Sequence, residues 1–266
     1  MAVPLISVIS VTFNALDDLR KTAESVWAQD YKNLEFVVID GASVDGTAEW
    51  LRERSSDSRM LWVSEKDRGI YDAMNKGVRL CHGEWVCFMN AGDSFASPNC
   101  LSLIVKELSN PQNDVVYGSV NVIKNFGMIT VRPRGLDLLR RKMAFCHQAS
   151  LSRRSLLIEH PFNLEYPIVA DYDFFHWCYT SGKTFCQVNY ELANFEAENG
   201  TSSKHRLKVL RECGRISGRN KTLGGTLEYI GQSLEVGFNK LYRFVIPSSL
   251  IKKIRALNYS RKRPQC

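Results

Sequence analysis

The chain has 266 residues, 44% hydrophobic and 24% charged, and its 35 Lys and Arg outnumber its 28 Asp and Glu to give a net charge of +7. This composition is typical of a globular protein long enough to bury a core without disulfides or structural metals. It contains no apolar run of about 18 residues that would cross a bilayer. The first residues lack the basic region and cleavage site of a secretory signal.

The charge is unevenly distributed along the chain. Residues 204–266 hold 15 Lys and Arg against 3 Asp and Glu, a net charge of +12, whereas residues 1–203 have a net charge of −5. This division indicates two regions with different tasks. The eight cysteines form no C-x-x-C pair, which argues against a zinc ribbon or a redox motif and favours a reducing cytosol.

Strands and helices alternate over the first 110 residues. Apolar runs predict strands at 5–13, 34–39, 60–63 and 84–89, and apolar side chains at helical spacing predict helices at 16–28, 47–54 and 70–80. This alternation predicts an α/β domain, a mostly parallel sheet with helices on both faces. After residue 110 we predict short strands at 115–117 and 119–123, a hairpin turn at 125–127 and a helix at 172–179.

Polar side chains follow each of the four predicted strands. Thr12 and Asn14 follow the first, Asp40 the second, Ser64–Gly69 the third and Asn90–Asp93 the fourth. Because ligands bind beyond the carboxyl ends of strands in open α/β sheets, these side chains should surround one cleft. Carboxylates there can accept hydrogen bonds from a base or ribose, or hold a divalent cation that bridges phosphates.

Five motifs occur in a characteristic order: IDGASVDGT, SEKDRGIYDAMNKG, FMNAGD, FCHQA and ADYDFF. Together they resemble bacterial family 2 glycosyltransferases, most of all those of exopolysaccharide and O-antigen synthesis such as the colanic acid enzymes. The resemblance implies a GT-A fold, a nucleotide-diphosphate sugar donor, a divalent cation (Mn²⁺ or Mg²⁺) and inversion at the anomeric carbon. It implies a catalytic domain over residues 1–203, whose nucleotide-sugar half ends near residue 110 and whose acceptor half covers 111–203.

The resemblance also implies roles for the matching positions. Nucleotide-sugar binding falls on Thr12, Asn14, Asp40, Asp67, Asp72, Lys76 and Asn90. Asp93 matches the metal-binding acid of the D-x-D element, but Asn90 stands where an Asp is frequent and Gly92 replaces a second acid. One carboxylate is enough for Mg²⁺ when substrate phosphates complete its shell, so metal affinity should be weak without the donor.

An inverting transfer needs a base that removes the proton of the attacking acceptor hydroxyl. The resemblance places this base at Asp171, and it places His147 and Gln148 near the acceptor or the diphosphate. Asp173 is the rival base. On a helix it would point about 200° away from Asp171, so both cannot face one substrate.

Several of these residues have structural interpretations as well. Asp45 is favoured as a turn and helix-capping residue, while Asp72 as a first-turn acid and Lys76 as a solvated charge remain open alternatives. Asp171 can also cap the predicted helix at 172–179, and His147 can be a core histidine. The other four histidines lack a partner motif, and for them the structural interpretation is favoured.

The basic region, residues 204–266, carries an apolar stripe. Its members, spaced every three or four residues, are Leu223, Leu227, Ile230, Leu234, Phe238, Leu241 and Val245, and a basic amphipathic segment follows Pro247. Such a helix is typical of docking to an anionic membrane. The resemblance to the family implies a reason for such docking, an acceptor that is linked to polyprenyl diphosphate. The alternative is packing on the catalytic domain or on a second subunit in a homo-oligomer.

The sequence therefore predicts an inverting glycosyltransferase, cytoplasmic and peripheral to the bacterial inner membrane. A sugar-1-phosphate nucleotidyltransferase is one alternative, but it would need a glycine-rich phosphate loop where the chain has residues 12–15, Thr-Phe-Asn-Ala. A basic nucleic-acid-binding protein is disfavoured, because the aromatic residues concentrate in the acidic region. A pseudoenzyme that keeps the fold as a scaffold is the last alternative.

Overall fold

The computed structural model describes residues 3–124, 127–196, 204–227, 229–231 and 233–234. One nine-stranded sheet organises them. Its strands are β1 (Ile6–Thr12), β2 (Leu34–Asp40), β3 (Met60–Ser64), β4 (Trp85–Phe88), β5 (Ser94–Phe95), β6 (Val115–Lys124), β7 (Gly127–Val131), β8 (Ser150–Arg153) and β9 (Phe185–Glu196). Seven α-helices whose bounds lie within the described residues accompany it: α1 (Leu16–Trp27), α2 (Thr47–Glu53), α3 (Ile70–Leu80), α4 (Cys100–Leu108), α5 (Arg154–Glu159), α6 (Ala170–Thr180) and α7 (Arg206–Ile216).

The predicted alternation of strands and helices in the first half is confirmed. The strand order is β3-β2-β1-β4-β8-β6-β9-β5, with β7 beside β6. Strands β1 to β4 pair in parallel, so their carboxyl ends lie at one edge of the sheet. Buried side chains form one apolar cluster on each face, which confirms an α/β fold with helices on both sides. The middle strand β8 runs antiparallel to both of its neighbours.

Helix α3 packs unusually close to the sheet. A Cβ atom added at Gly77 would lie 2.5 Å from Cγ2 of Ile9 on β1. The glycine therefore lets the helix backbone approach the strand, which fixes the residues at the start of α3 above the carboxyl ends of β1 and β2.

The prediction of two short strands at 115–117 and 119–123 was wrong. They form one strand, β6, which continues through Gly118. The pairing of β6 with β9 shifts register at this point, and a Cβ atom at Gly118 would lie 2.6 Å from the carbonyl oxygen of Tyr190. The glycine admits a neighbouring backbone at an irregularity instead of ending the strand. Strands β6 and β7 pair as a hairpin, but residues 125 and 126 of the predicted turn lie outside the described residues.

Helix α6 begins earlier than the predicted helix at 172–179. It starts at Ala170, so Asp171 lies within its first turn instead of preceding it. Farther along, residues 223–227, 229–231 and 233–234 are helical, and Leu223, Leu227, Ile230 and Leu234 are exposed there. The predicted continuation of this stripe to Val245 and the basic segment after Pro247 lie outside the described residues.

Candidate active site

The strand order β3-β2-β1-β4 reverses its direction between the neighbouring strands β1 and β4. In open α/β sheets this switch point opens a crevice for ligands. Thr12 ends β1, and Asn90 follows β4. Thr12 Oγ1 and Asn90 Oδ1 are both buried without a hydrogen-bond partner in the protein. Since a buried polar atom without a partner is costly, two of them at a switch point indicate a site built for a ligand.

Helix α1 holds the loop after β4 in place. The Thr22 hydroxyl lies 3.1 Å from the carbonyl oxygen of Asn90 and 2.7 Å from that of Asp93, and it accepts a hydrogen bond from the Gly92 amide. Gly92 has a φ of 98°, which few other residues adopt at low cost. Thr22 and Gly92 thus fix the tight turn that places Asp93. Sequence reasoning missed Thr22, whose only signal is a hydroxyl among the apolar residues of α1.

Asp93 is a buried carboxyl group with little compensation from the protein. Burial raises its pKa to about 6, although the charge of His147 and hydrogen bonds from Gln148 and the Asn90 backbone oppose this rise. The structure therefore brings together Asn90, Asp93, His147 and Gln148, four of the residues singled out from sequence.

Asp171 lies at the centre of a hydrogen-bonded cluster. Its Oδ2 is 2.9 Å from Nδ1 of His147, and its Oδ1 accepts hydrogen bonds of 2.9 Å from the Tyr71 hydroxyl and from the Tyr172 amide. Tyr71 sits in the first turn of α3, so three separate segments converge on one carboxylate. Sequence reasoning missed Tyr71, although it lies inside one of the five motifs.

Asp171 and His147 shift each other's pKa in opposite directions. Burial alone would raise the pKa of Asp171, but the hydrogen bond and charge of His147 and the hydrogen bond from Tyr71 outweigh it and hold that pKa below its ordinary value. Burial would lower the pKa of His147, but Asp171, and more weakly Asp93, raise it. The imidazole Nε2 is buried without a partner, so His147 is not a satisfied core histidine. One of its ring nitrogens contacts Asp171 and the other has no partner in the protein, as expected of a residue that contacts a ligand.

Asp173 points elsewhere, as expected for a residue two positions along the same helix. Its Oδ2 lies 3.3 Å from Nε2 of His160, whose ring stacks on Trp177 at a centroid distance of 4.6 Å. The two acids of the ADYDFF motif thus have separate partners, and only Asp171 joins the cluster with His147.

The loop after β2 is organised by Asp40. This carboxylate is fully buried and accepts hydrogen bonds from the Ser43 amide, the Ser43 hydroxyl and the Ser64 hydroxyl. Asn14, with a φ of 49°, accepts a hydrogen bond of 2.9 Å from the Val44 amide. Both residues shape the loops at the switch point, and their direct contact with a nucleotide stays a prediction.

Asp45 has the predicted capping role. Its carboxylate accepts hydrogen bonds from the Leu16 amide at the start of α1 and from the Thr47 amide and hydroxyl at the start of α2. It therefore joins the amino ends of two helices.

The third segment, after β3, surrounds the start of α3. Asp67 Oδ1 accepts a hydrogen bond of 2.8 Å from the Gly69 amide, and Asp72 accepts one of 3.0 Å from the Arg68 amide, which is the main reason that its pKa is lowered. Lys76 donates to the Lys66 carbonyl and pairs with Glu65, both at 2.8 Å. These contacts order the segment, and its predicted role in nucleotide-sugar binding stays a prediction.

The donor set at the switch point suits a hard divalent cation that arrives with phosphates. Among the described residues, no group of three or more His, Cys, Asp or Glu side chains could hold a metal by itself. Asp93 supplies one carboxylate, and the unpaired Asn90 Oδ1 is a second oxygen in the same turn. Mg²⁺ commonly uses one or two protein carboxylates with substrate phosphates and water, so these residues fit it.

Comparison with known proteins identifies the family. The model of glycosyl transferase family 2 matches residues 7–159. The chain belongs to glycosyl transferase family 2. A relative from Mycobacterium bovis, described as a PGL/p-HBAD biosynthesis glycosyltransferase, is 32% identical over 185 residues, which cover 68% of this chain and 72% of the relative. The predicted resemblance to the family is thus confirmed, while the exopolysaccharide subgroup stays a prediction.

Solved structures confirm the fold of this glycosyltransferase. The mannosyltransferase PcManGT from Pyrobaculum calidifontis, in complex with GDP-Man and Mn²⁺, has a TM-score of 0.64 at 20% identity and covers 97% of this chain and 81% of its own. S. aureus TarS 1–349, in complex with UDP-GlcNAc, has a TM-score of 0.64 at 16% identity and covers 79% of this chain and 66% of its own. Both share the predicted GT-A, Rossmann-like architecture. In the part of this chain that the structure describes, no helix has the length and apolar character to cross a membrane.

Proposed function

We propose that this glycosyltransferase moves a sugar from a nucleotide-diphosphate donor to a hydroxyl of a saccharide acceptor, with inversion at the anomeric carbon. The observation that carries the proposal is the partly buried carboxylate of Asp171, which Tyr71 and His147 hold by hydrogen bonds. A carboxylate with a lowered pKa is free of its proton at neutral pH and can therefore act as a general base.

The donor occupies the switch point in this proposal. The unpaired oxygens of Thr12 and Asn90 face its polar groups, and the loops ordered by Asn14, Asp40 and Asp67 enclose the nucleotide. Asp93 would hold a divalent cation, Mn²⁺ or Mg²⁺, which when bound offsets the negative charge that develops on the leaving diphosphate. The complex of PcManGT with GDP-Man and Mn²⁺ supports this part of the proposal.

The transfer is a single displacement. The acceptor oxygen forms a bond to the anomeric carbon on the face opposite the diphosphate, while the bond from that carbon to the phosphate oxygen breaks and its electron pair leaves with the nucleoside diphosphate. Asp171 Oδ takes the hydroxyl proton. His147 donates through Nδ1 to Asp171 and offers Nε2–H to a substrate oxygen, a use that its lack of a protein partner supports.

The acceptor in this proposal is linked to a polyprenyl diphosphate, and residues 204–266 bring the enzyme to the membrane that holds it. The four exposed apolar residues between Leu223 and Leu234 and the net charge of +12 in this region support the docking. Each Lys or Arg near an anionic surface contributes about 1 kcal/mol. The enzyme would thus lie at the cytoplasmic face of the bacterial inner membrane. The seven cysteines among the described residues are free thiols, which agrees with a reducing compartment.

Donor binding is tested by a thermal-shift screen of UDP-, GDP- and dTDP-sugars with and without Mn²⁺ or Mg²⁺. A ligand that binds only the folded state at 100 times its Kd stabilises it by about 2.7 kcal/mol, so one nucleotide should raise Tm, and only when the cation is present. Sugar 1-phosphates without a nucleotide are the control. The proposal fails if no sugar nucleotide raises Tm, or if NMR of the product of an active donor shows a retained anomeric configuration.

Membrane docking is tested by sedimentation with vesicles. The chain should sediment with vesicles rich in anionic lipid at low salt, and Leu223→Lys/Leu227→Lys should weaken this binding because it removes apolar surface. Leu103→Lys, which changes an exposed leucine on α4, is the matched control. Equal sedimentation of the double variant and the control would contradict the docking role.

A further inference from the structure

Glu212 on α7 contacts the segment that leads into the helix of the proposed base. Its Oε2 accepts hydrogen bonds from the backbone amides of Ile168, at 3.1 Å, and Val169, at 3.2 Å. These two residues directly precede Ala170, where α6 begins. Glu212 is 3% exposed, and its Oε1 is buried without a hydrogen-bond partner.

A buried carboxylate with one unpaired oxygen is costly to keep, so its position calls for a compensating role. The amides at the start of a helix have no partners within it, and the positive end of the helix dipole favours an acceptor there. One Glu212 oxygen satisfies two successive amides. It therefore fixes both the position and the direction of the chain as it enters α6.

Tyr71 contacts the same short segment from another element. Its hydroxyl lies 2.9 Å from the carbonyl oxygen of Ile168 and 2.9 Å from Oδ1 of Asp171. Glu212 thus accepts a hydrogen bond from the N–H of the Ile168–Val169 peptide group. The Tyr71 hydroxyl, which has one proton to donate, lies within hydrogen-bond distance of the carbonyl of that same group and of Asp171. Asp171 follows three residues later on the rigid first turn of α6.

We infer that Glu212 is a positioning residue for Asp171, so that α7, although it lies beyond residue 203, belongs to the catalytic unit. The inference rests on the proposed function in one respect, the role of Asp171 as the base. Displacement of a catalytic group by about 1 Å can cost about 100-fold in rate, so loss of this contact should lower kcat and leave donor binding intact.

Three substitutions at Glu212 distinguish the effect of its side-chain length from the effect of its charge. Glu212→Gln keeps the side-chain length and one acceptor oxygen, so kcat should stay within about threefold of the wild type, whereas Glu212→Asp keeps the charge but shortens the reach and should lower kcat about 10-fold or more. Glu212→Leu removes the acceptor and should do the same or worse. The KM for the donor should change little in all three. Arg211→Ala, at an exposed neighbour on α7, is the control.

A second measurement does not depend on turnover. Amide hydrogen exchange at Ile168 and Val169 should be slow in the wild type and in Glu212→Gln, and at least about 10-fold faster in Glu212→Asp. In a double-mutant cycle, Tyr71→Phe and Glu212→Asp should lower kcat by less than the product of their separate effects, because both loosen one peptide.

The inference is overturned if Glu212→Asp retains the wild-type kcat and amide exchange while Glu212→Gln loses them, or if only the thermal stability changes. Its failure can be distinguished from that of the proposed function. If Asp171→Asn leaves transfer intact, Asp171 is not the base, yet the exchange rates still report on the contact of Glu212 with α6.

Discussion

A buried carboxyl group lies at each end of the parallel strands, and the pKa values of the two groups are shifted in opposite directions. At the amino ends, Glu35 on β2 accepts hydrogen bonds from the Ser7 hydroxyl and from the amides of His82 and Gly83, and its second oxygen lies 3.1 Å from His82 Nδ1. Burial opposes its ionisation, but these hydrogen bonds outweigh burial and lower its pKa. At the carboxyl ends, burial dominates for Asp93 and raises its pKa to about 6.

The different partners of the two carboxyl groups indicate a structural role for Glu35 and a ligand-binding role for Asp93. Glu35 is satisfied by the protein and joins β1, β2 and the loop before β4. In the segments around the carboxyl ends, three buried polar atoms have no partner in the protein: Thr12 Oγ1, Asn90 Oδ1 and His147 Nε2. Unsatisfied groups lower stability, and they are retained where a ligand completes them. Substitutions at the carboxyl ends should therefore lower activity while they keep or raise stability, whereas substitutions at the amino ends should lower stability alone.

The largest effect is expected at Asp93. Asp93→Asn removes the carboxylate that the proposed function assigns to the divalent cation, so kcat/KM should fall about 100- to 1,000-fold. The same change should stabilise the fold at pH 7 by about 2 kcal/mol, since the folded-state pKa of this acid lies above its unfolded value and ionised Asp93 opposes folding. Steady-state kinetics and urea unfolding give the two numbers. Lower stability together with lower activity would show that Asp93 is a structural residue.

A smaller effect of opposite kind is expected at Glu35. Glu35→Gln should lower the free energy of unfolding by about 1–3 kcal/mol, because hydrogen bonds to a charged acceptor are lost, and kcat should not change. Since the folded-state pKa of Glu35 is lowered, its stabilisation is present above the unfolded value and is lost as pH falls through the folded value. Urea titrations of both proteins should therefore converge in acid. A constant gap at all pH values would contradict the role assigned to ionised Glu35.

The smallest effects are expected when either of two hydroxyl groups on β1 is removed. Thr12→Val removes an unpaired buried oxygen and should leave stability within about 1 kcal/mol or raise it, while it weakens donor binding. Ser7→Ala at the other end of the strand removes a partner of Glu35 and should destabilise the fold by about 1–2 kcal/mol without an effect on the donor. Calorimetric titration with the donor and thermal unfolding distinguish the two. Equal stability losses would remove the contrast between the ends.

The fold could be predicted from sequence where local pattern and burial agree. The bounds of α3 match the prediction because its amphipathic spacing begins directly after Gly69 and ends before the loop at 81–84. The error at Gly118 arose because a glycine at a close approach of two strands looks, in one sequence, like a glycine that ends a strand. The predicted helix at 172–179 omits the first two residues of α6, because no capping side chain marks the start of that helix.

Residues of the candidate site could be predicted from sequence only where they lie in a recognisable motif. Asp93, His147 and Asp171 lie in recognisable motifs, and the structure brings them together, but the 2.9 Å contact between His147 and Asp171 spans 24 positions and has no local signature. Tyr71 and Thr22 contribute through hydroxyls within helices that the apolar pattern explains without them. Glu212 had one signal, as one of only three acids among the 15 basic residues after position 203.

The proposed transfer of the acceptor proton to Asp171 can be measured by a comparison of Asp171→Asn with Asp173→Asn. Asn keeps the shape and one acceptor oxygen but cannot hold the proton. We therefore expect kcat of Asp171→Asn to fall about 100- to 10,000-fold while the Kd of the donor stays unchanged. Asp173→Asn removes a charge from the contact with His160 and should keep kcat within a few-fold. Wild-type turnover by the Asp171 variant, or an equal loss in both, would contradict the account.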